Sequence, residues 1–224
     1  MIKLLIFDAG GVLYEWSDEI VKTALEKFLN KHGVYDLERS DRVWSEVEKL
    51  GVVGKISLRE AHLRWLEGVG LPRGLVNEWG RVYRKEIWAK FRRTPGINRL
   101  LRNLKSRYSL VVLSDTIEAR QEEIRKMKIV GVDPASFDGI FTSHDLGVCK
   151  PSKKAFWAVL NRFDAKPEET LFISDACDEL GGAKRMGLAT AGYRCDCRFR
   201  NVKKLSDIVK LSQVDESGKC NLVA

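Results

Sequence analysis

No apolar stretch in this chain approaches the ~20 residues that a membrane-spanning helix needs. The run at its start, Ile2 to Phe7, is short and interrupted by Lys3, and nothing there has the form of a secretory signal. A soluble, cytoplasmic protein with no membrane partner is the expectation. Lys/Arg blocks never exceed two residues, zinc-finger spacing is missing, and no predicted helix is made mostly of Arg and Lys. Dedicated nucleic-acid binding is therefore not expected, despite a formal net charge of +8. Such a surplus equally suits anionic small molecules such as phosphate esters. Five cysteines, an odd number in 224 residues, make no disulfide framework. Cys195 and Cys197 form a C-x-C pair without the second pair of a four-ligand metal site, so they read as reduced thiols. The three histidines, His32, His62 and His144, are isolated and make no metal site, although His144 lies on a loop that could reach a cleft. Glutamine occurs only at positions 121 and 213, and there is no internal repeat or low-complexity segment.

What the chain does have is an ordinary apolar share, 44%, enough for a full core. Ile2 to Phe7 reads as a strand buried on both faces, as in a parallel sheet, ending at Asp8-Ala9-Gly10-Gly11. Helical patterns follow. The first covers Ser17 to His32, with Ser17 as N-cap, Asp18 and Glu19 at the positive end and Gly33 after the end. The second covers about Ser40 to Leu50, closed by Gly51. The third begins at Ser57-Leu58-Arg59-Glu60, which has capping-box spacing, and the fourth covers about Arg73 to Arg92. Four such helices with short connections predict a small bundle whose aromatic residues form its core. Trp16, outside the helical pattern, reads as a ring facing a pocket.

From Thr94 the pattern alternates. Helices are predicted at Ile97–Ser106, Ile117–Lys128, Ser152–Arg162, Glu179–Met186 and Val202–Lys210. Strands are predicted at Tyr108–Leu113, Gly139–Thr142, Thr170–Ile173 and Leu188–Tyr193. Strands alternating with helices imply an α/β fold, a Rossmann-like parallel sheet with helices on both faces. The first strand belongs to this sheet, so the helical bundle is an insertion. The expected units are a core of residues 1–14 and 94–212, a cap of residues 15–93 and a loose tail of residues 213–224. Paired hinges are expected near Glu15 and Thr94.

Polar groups gather at the ends of these strands: Asp8, Ser114-Asp115-Thr116, Asp175-Ala176-Cys177-Asp178-Glu179, and Lys150 on its loop. Open α/β sheets bind ligands at that edge. Carboxylates crowded together call for a cation, and oxygen donors without His or Cys suit Mg²⁺. A hydroxyl and an ammonium can hold phosphoryl oxygens. Each residue alone also has a structural reading: Asp8 caps a turn, Ser114 is a turn hydroxyl, Lys150 a surface charge, Asp175 a helix N-cap.

Phe7-Asp8-Ala9-Gly10-Gly11-Val12, Leu113-Ser114-Asp115, Lys150-Pro151 and Ile173-Ser174-Asp175-Ala176-Cys177-Asp178-Glu179 resemble, in order, the four motifs of the haloacid dehalogenase-like hydrolase superfamily, and the helical insertion resembles its helical cap. The resemblance implies a Mg²⁺-dependent hydrolase of a small phosphorylated substrate acting through an aspartyl phosphate. It makes Asp8 the nucleophile, with Ser114 and Lys150 holding the phosphoryl group beside Asp115. It makes Asp8, the carbonyl of Gly10 and Asp175 the metal ligands, supported by Asp178 and Glu179; the family's fourth motif usually has Asp at the latter position. Its cap selects the substrate, with Arg59, Arg64, Trp16 and Tyr83 as candidate contacts.

Phosphatases of the family usually have a second Asp where this chain has Gly10. Losing a general acid/base removes ~10²–10⁴ in rate. The alternatives left open are a 2-haloacid dehalogenase, another carbon-bond hydrolase such as one with a Schiff-base lysine in the cap, and a scaffold that binds without turnover. The intact Asp175 and the absence of an aromatic residue at position 10 favour the metal-dependent phosphoryl enzyme. Cys149 and Cys177, beside motif residues, read as packing.

Overall fold

The computed structural model describes residues 1–195, 201–202 and 207–208. Strand β1 (Leu4–Phe7) leads to a two-residue strand, β2 (Tyr14–Glu15). Helices α1 (Asp18–Lys31), α2 (Leu37–Gly51), α3 (Leu58–Gly68) and α4 (Val76–Val82) follow, then β3 (Arg92–Arg93). The remainder is α5 (Ile97–Lys105), β4 (Ser109–Ser114), α6 (Arg120–Val130), β5 (Gly139–Thr142), α7 (Ser143–Leu146), α8 (Lys153–Arg162), β6 (Thr170–Ser174), α9 (Cys177–Arg185), β7 (Ala189–Tyr193) and β8 (Asn201–Val202). Among the described residues no helix is long and apolar enough to cross a membrane.

Six strands form one parallel sheet in the order β5-β4-β1-β6-β7-β8. Strand β1 lies between β4 and β6, which is why its apolar run is unbroken. Leu5 and Phe7 join the core that includes Ile97, Leu101 and Met127, while Leu4 and Ile6 join Phe156, Leu160 and Leu180 on the opposite face. Burying each of these large side chains contributes about 1.5–3 kcal/mol relative to exposure. The strand order reverses at β1, so the carboxyl ends of β1, β4 and β6 open onto one crevice.

Helices α1 to α4 stand over that crevice. Ser17 caps α1 by accepting from the Ile20 N–H at 3.3 Å, and Ser57 caps α3 by accepting from the Glu60 N–H at 3.2 Å. Glu60 turns its own carboxylate to Arg64. The two chains that join this layer to the sheet run side by side as a small antiparallel ladder, Tyr14 opposite Arg93 and Glu15 opposite Arg92. Sequence periodicity does not reveal a ladder of two-residue strands.

Several boundaries differ from expectation. α2 starts at Leu37 because Asp36, whose carboxylate accepts from the Arg39 N–H at 2.8 Å, is its cap; Gly51 is its last residue. The helix expected from Arg73 to Arg92 is a composite: 3₁₀ turns at Arg73–Leu75 and Trp88–Lys90 flank α4 and a π turn at Tyr83–Ile87. The wider π turn sits where Tyr83, Ile87 and Trp88 are all buried. α6 starts at Arg120, not Ile117, because residues 115–119 form the loop at the crevice. Val202, expected to open a helix, instead pairs with Tyr193 in β8; residues 207 and 208 are helical, and the rest of that expected helix and the tail lie outside the described residues.

Candidate active site

Asp8 follows β1 directly. Its Oδ1 accepts from the Ala9 N–H at 2.8 Å and from Lys150 Nζ at 2.6 Å. Lys150 is fully buried and also lies 3.1 Å from Glu179 Oε2. Its backbone N–H donates to Asp115 Oδ1 at 3.2 Å, which ties the β4 loop to the Lys150 loop. Glu179 accepts from Ser174 Oγ at 2.7 Å, and that oxygen accepts from the Ala176 N–H at 3.0 Å. The end of β6 and the start of α9 are thus locked around the lysine. Ser114 is buried at the end of β4 and borders the same crevice.

The electrostatics show an excess of negative charge. Burial alone would lower Lys150, but Asp8, Glu179 and Asp115 outweigh it and raise its pKa. Burial raises Asp175, helped by the charge of Asp8, and burial raises Asp115 against the pull of Lys150. Glu179 is pushed up to about 7, by burial first and by Asp8 second. Four carboxylates around one lysine call for another cation. The hard oxygen donors of Asp8 and Asp175 fit Mg²⁺, which binds through one or two carboxylates and keeps waters. Among the described residues no group of three or more His, Cys, Asp or Glu is placed to hold a metal ion.

The two glycines after Asp8 differ. Gly11 has φ +70°, and a Cβ there would fall 1.8 Å from Asp175 Oδ2. Only glycine lets the turn pass beneath that carboxylate. At Gly10 a Cβ would meet nothing within 4 Å, so the space for a side chain is open.

The crevice continues beneath the helical layer as a cleft of about 740 Å³. Asp8, Gly10, Ser114, Asp115, Lys150, Asp175 and Glu179, all named from sequence, border it together with Trp16. Trp16 packs on Phe91 at 4.8 Å and donates its indole N–H to Asp18. Asp178 is exposed on the first turn of α9, where its charge helps to raise Asp115. Tyr83 borders the cleft as expected, whereas Arg59 pairs with Asn77 and Arg64 with Glu60 on the outside. The aromatics read as bundle core are buried, yet Trp65 and Trp79 also wall the cleft, beside the half-buried Trp44. His144 Nδ1–H donates to the Gly51 carbonyl at 2.8 Å, so it fastens the helical layer to the β5 side. Cys177 is disulfide-bonded, which corrects its reading as a packing thiol; Cys149 is a free thiol.

Sequence reasoning missed a second charged group in the cleft. Lys126 Nζ lies 3.2 Å from Glu118 and 2.8 Å from Glu123, all three buried. Tyr83 donates to Glu118 at 3.2 Å and Tyr14 to Glu123 at 3.0 Å. The signal was there: Glu123, Lys126, Met127 and Val130 share the buried face of α6 at helical spacing.

The chain matches the sequence model of the haloacid dehalogenase-like hydrolases over residues 2–187. It belongs to that family. Sesquiterpene phosphatase astK of Aspergillus oryzae is 29% identical over 193 residues, covering 83% of this chain and 87% of that one. Glyceraldehyde 3-phosphate phosphatase of Methanocaldococcus jannaschii is 28% identical, covering 94% and 98%. In fold, the chain is similar to 2-haloacid dehalogenase from Pseudomonas syringae pv. Tomato, with a TM-score of 0.74, 20% identity and coverage of 94% and 98%. A Bacteroides thetaiotaomicron family enzyme in complex with magnesium and inorganic phosphate gives a TM-score of 0.72, 20% identity and coverage of 88% and 96%.

Proposed function

We propose that this hydrolase is a phosphatase of small phosphomonoesters in which Asp8 is the nucleophile. The observation that carries the reading is the Lys150 bridge between Asp8 and Glu179. It fixes the Asp8 carboxylate at the end of β1 and puts a buried cation where a phosphoryl group would meet it. Asp8 attacks phosphorus, the bond to the ester oxygen breaks, and the departing oxyanion takes a proton from solvent. Water then attacks the same phosphorus, releasing inorganic phosphate and restoring the carboxylate. Lys150, the Ser114 hydroxyl and nearby backbone N–H groups offset charge on the phosphoryl oxygens, and Asp115 positions the Lys150 backbone. Asp8, the Gly10 carbonyl and Asp175 would hold Mg²⁺, which supplies charge neutralisation between the carboxylate and the phosphoryl group when bound. Two curated relatives named as phosphatases and a fold neighbour crystallised with magnesium and phosphate support this reading.

Residues 15–93 act here as a cap: the β2/β3 ladder is its hinge, and its helices supply the wall that meets the leaving group. The test is turnover of acetyl phosphate and aryl phosphates with Mg²⁺ and with EDTA, alongside Asp8→Asn. Hydrolysis is expected with Mg²⁺ only and only in the wild type. Turnover that survives chelation or Asp8→Asn would sink the mechanism, and halide release from a 2-haloacid in EDTA would replace it with the dehalogenase reaction.

A further inference from the structure

The cleft has two unlike ends. At the strand ends it offers the charged groups described above. Beneath the helices its wall is made by Val21, Leu25, Trp44, Val52, Trp79 and Ile117. Binding clefts of ~300–1,000 Å³ with such walls enclose a ligand of tens of atoms, and this one measures about 740 Å³.

The cations are already taken. Lys150 is held by Asp8 and Glu179, and Lys126 by Glu118 and Glu123. Lys22, at the mouth, is exposed beside Glu26 at 3.8 Å. Among the described residues no arginine borders the cleft. Five further carboxylates do: Asp18, Glu19, Asp41, Glu48 and Glu118. A substrate with a second anionic group, such as a phosphorylated acid or a bisphosphate, would meet repulsion and no free guanidinium or ammonium deep in the cleft.

We propose that the leaving group is uncharged and apolar, an extended alkyl-aryl or hydrocarbon alcohol seated between Leu25, Trp44 and Trp79, and that substrates with a second negative charge are rejected. This rests on the phosphatase reading for the orientation of the ester, and Gly10 favours only the aryl members of that class. With no carboxylic acid at that position, an acidic alcohol such as a phenol departs more readily than an aliphatic one.

Binding of phosphonates tests the proposal apart from turnover. The probes are benzylphosphonate, its 4-butyl and 4-octyl derivatives, and 3-carboxybenzylphosphonate, measured with Mg²⁺ by quenching of tryptophan fluorescence. Kd is expected to fall about threefold to fourfold per added methylene until the chamber is full. The 3-carboxy compound is expected to bind at least ~10-fold more weakly than its parent. Leu25→Asp should flatten the alkyl series, and Glu48→Lys should tighten binding of the carboxylated compound. A Kd that does not fall with chain length, or a carboxylated probe that binds as tightly as its parent, overturns the proposal. Acetyl phosphate has too small an acyl group to reach the chamber. If Mg²⁺ does not support its hydrolysis, the phosphatase reading fails while the binding series still decides the character of the cleft.

Discussion

Two lysines are buried among the described residues, and each sits between two carboxylates. Lys150 lies 2.6 Å from Asp8 and 3.1 Å from Glu179. Lys126 lies 3.2 Å from Glu118 and 2.8 Å from Glu123. By distance and burial the clusters are hard to tell apart, and both border the same cleft. Their surroundings differ. Around Lys126 each carboxylate also accepts from a tyrosine hydroxyl, Tyr14 or Tyr83, and the network joins α6 to the helical layer. Around Lys150 the excess carboxylates, Asp115 and Asp175, face the cleft without a cation of their own. An ion cluster tied to tyrosine hydroxyls across two elements positions them. An over-charged one at a strand end has something left to bind.

Substitutions sharpen that contrast. Asp8→Asn is expected to lower kcat on the order of 10³-fold or more, read in steady-state assays, since no other group takes over the covalent step. Lys150→Met should cost kcat about 10²-fold through lost charge stabilisation. Equal losses from Lys126→Met would erase the distinction. That variant is expected instead to destabilise the fold by about 3–5 kcal/mol in denaturant titrations, because two carboxylates are left buried and unpaired, with little change in kcat.

The adjacent glycines give a second, smaller contrast. Gly11→Ala forces a Cβ into Asp175 at positive φ and is expected to destabilise by about 1–3 kcal/mol and to impair turnover. Gly10→Asp has open space and is expected to fold normally. If a carboxylic acid there protonates the leaving group, turnover of alkyl phosphates should rise by up to ~10²-fold while aryl phosphates change less. An unchanged alkyl-to-aryl ratio would contradict that role.

A further effect is one of pH. His62 is buried against Trp79 and Tyr83, and burial, with Arg84 nearby, lowers its pKa to about 3. The unfolded chain takes up this proton near its ordinary pKa of ~6.5, the folded protein only near 3, so stability falls as pH drops through that window. The slope approaches ~1.4 kcal/mol per pH unit. His62→Phe should flatten the fall in melting temperature between pH 6.5 and 4.

Much of the strand-end cluster was legible because apolar strands bounded by Asp, Ser and Lys leave few other arrangements. β1 announces its central place by being apolar on both faces, and its neighbours end in the remaining motif residues. Glu179, which departs from the usual Asp, still reaches Lys150. The Lys126 cluster was not legible, since charged residues on a helix normally face water and only tertiary contact with Tyr14 and Tyr83 reverses that. Which helix faces wall the cleft was hidden for the same reason: one apolar stripe can serve as core and as binding surface. The hydrogen bond of His144 to Gly51 and the close approach of Gly54 to the His144 backbone join parts of the chain that no local pattern connects.

The central claim is that Asp8 accepts the phosphoryl group. Rapid acid quenching of the enzyme with ³²P-labelled aryl phosphate and Mg²⁺, followed by peptide mapping, tests it most directly. The expected result is acid-stable, hydroxylamine-labile label on the peptide that contains Asp8, lost in Asp8→Asn. Steady release of phosphate with no label on the chain, or label on another peptide, would contradict it.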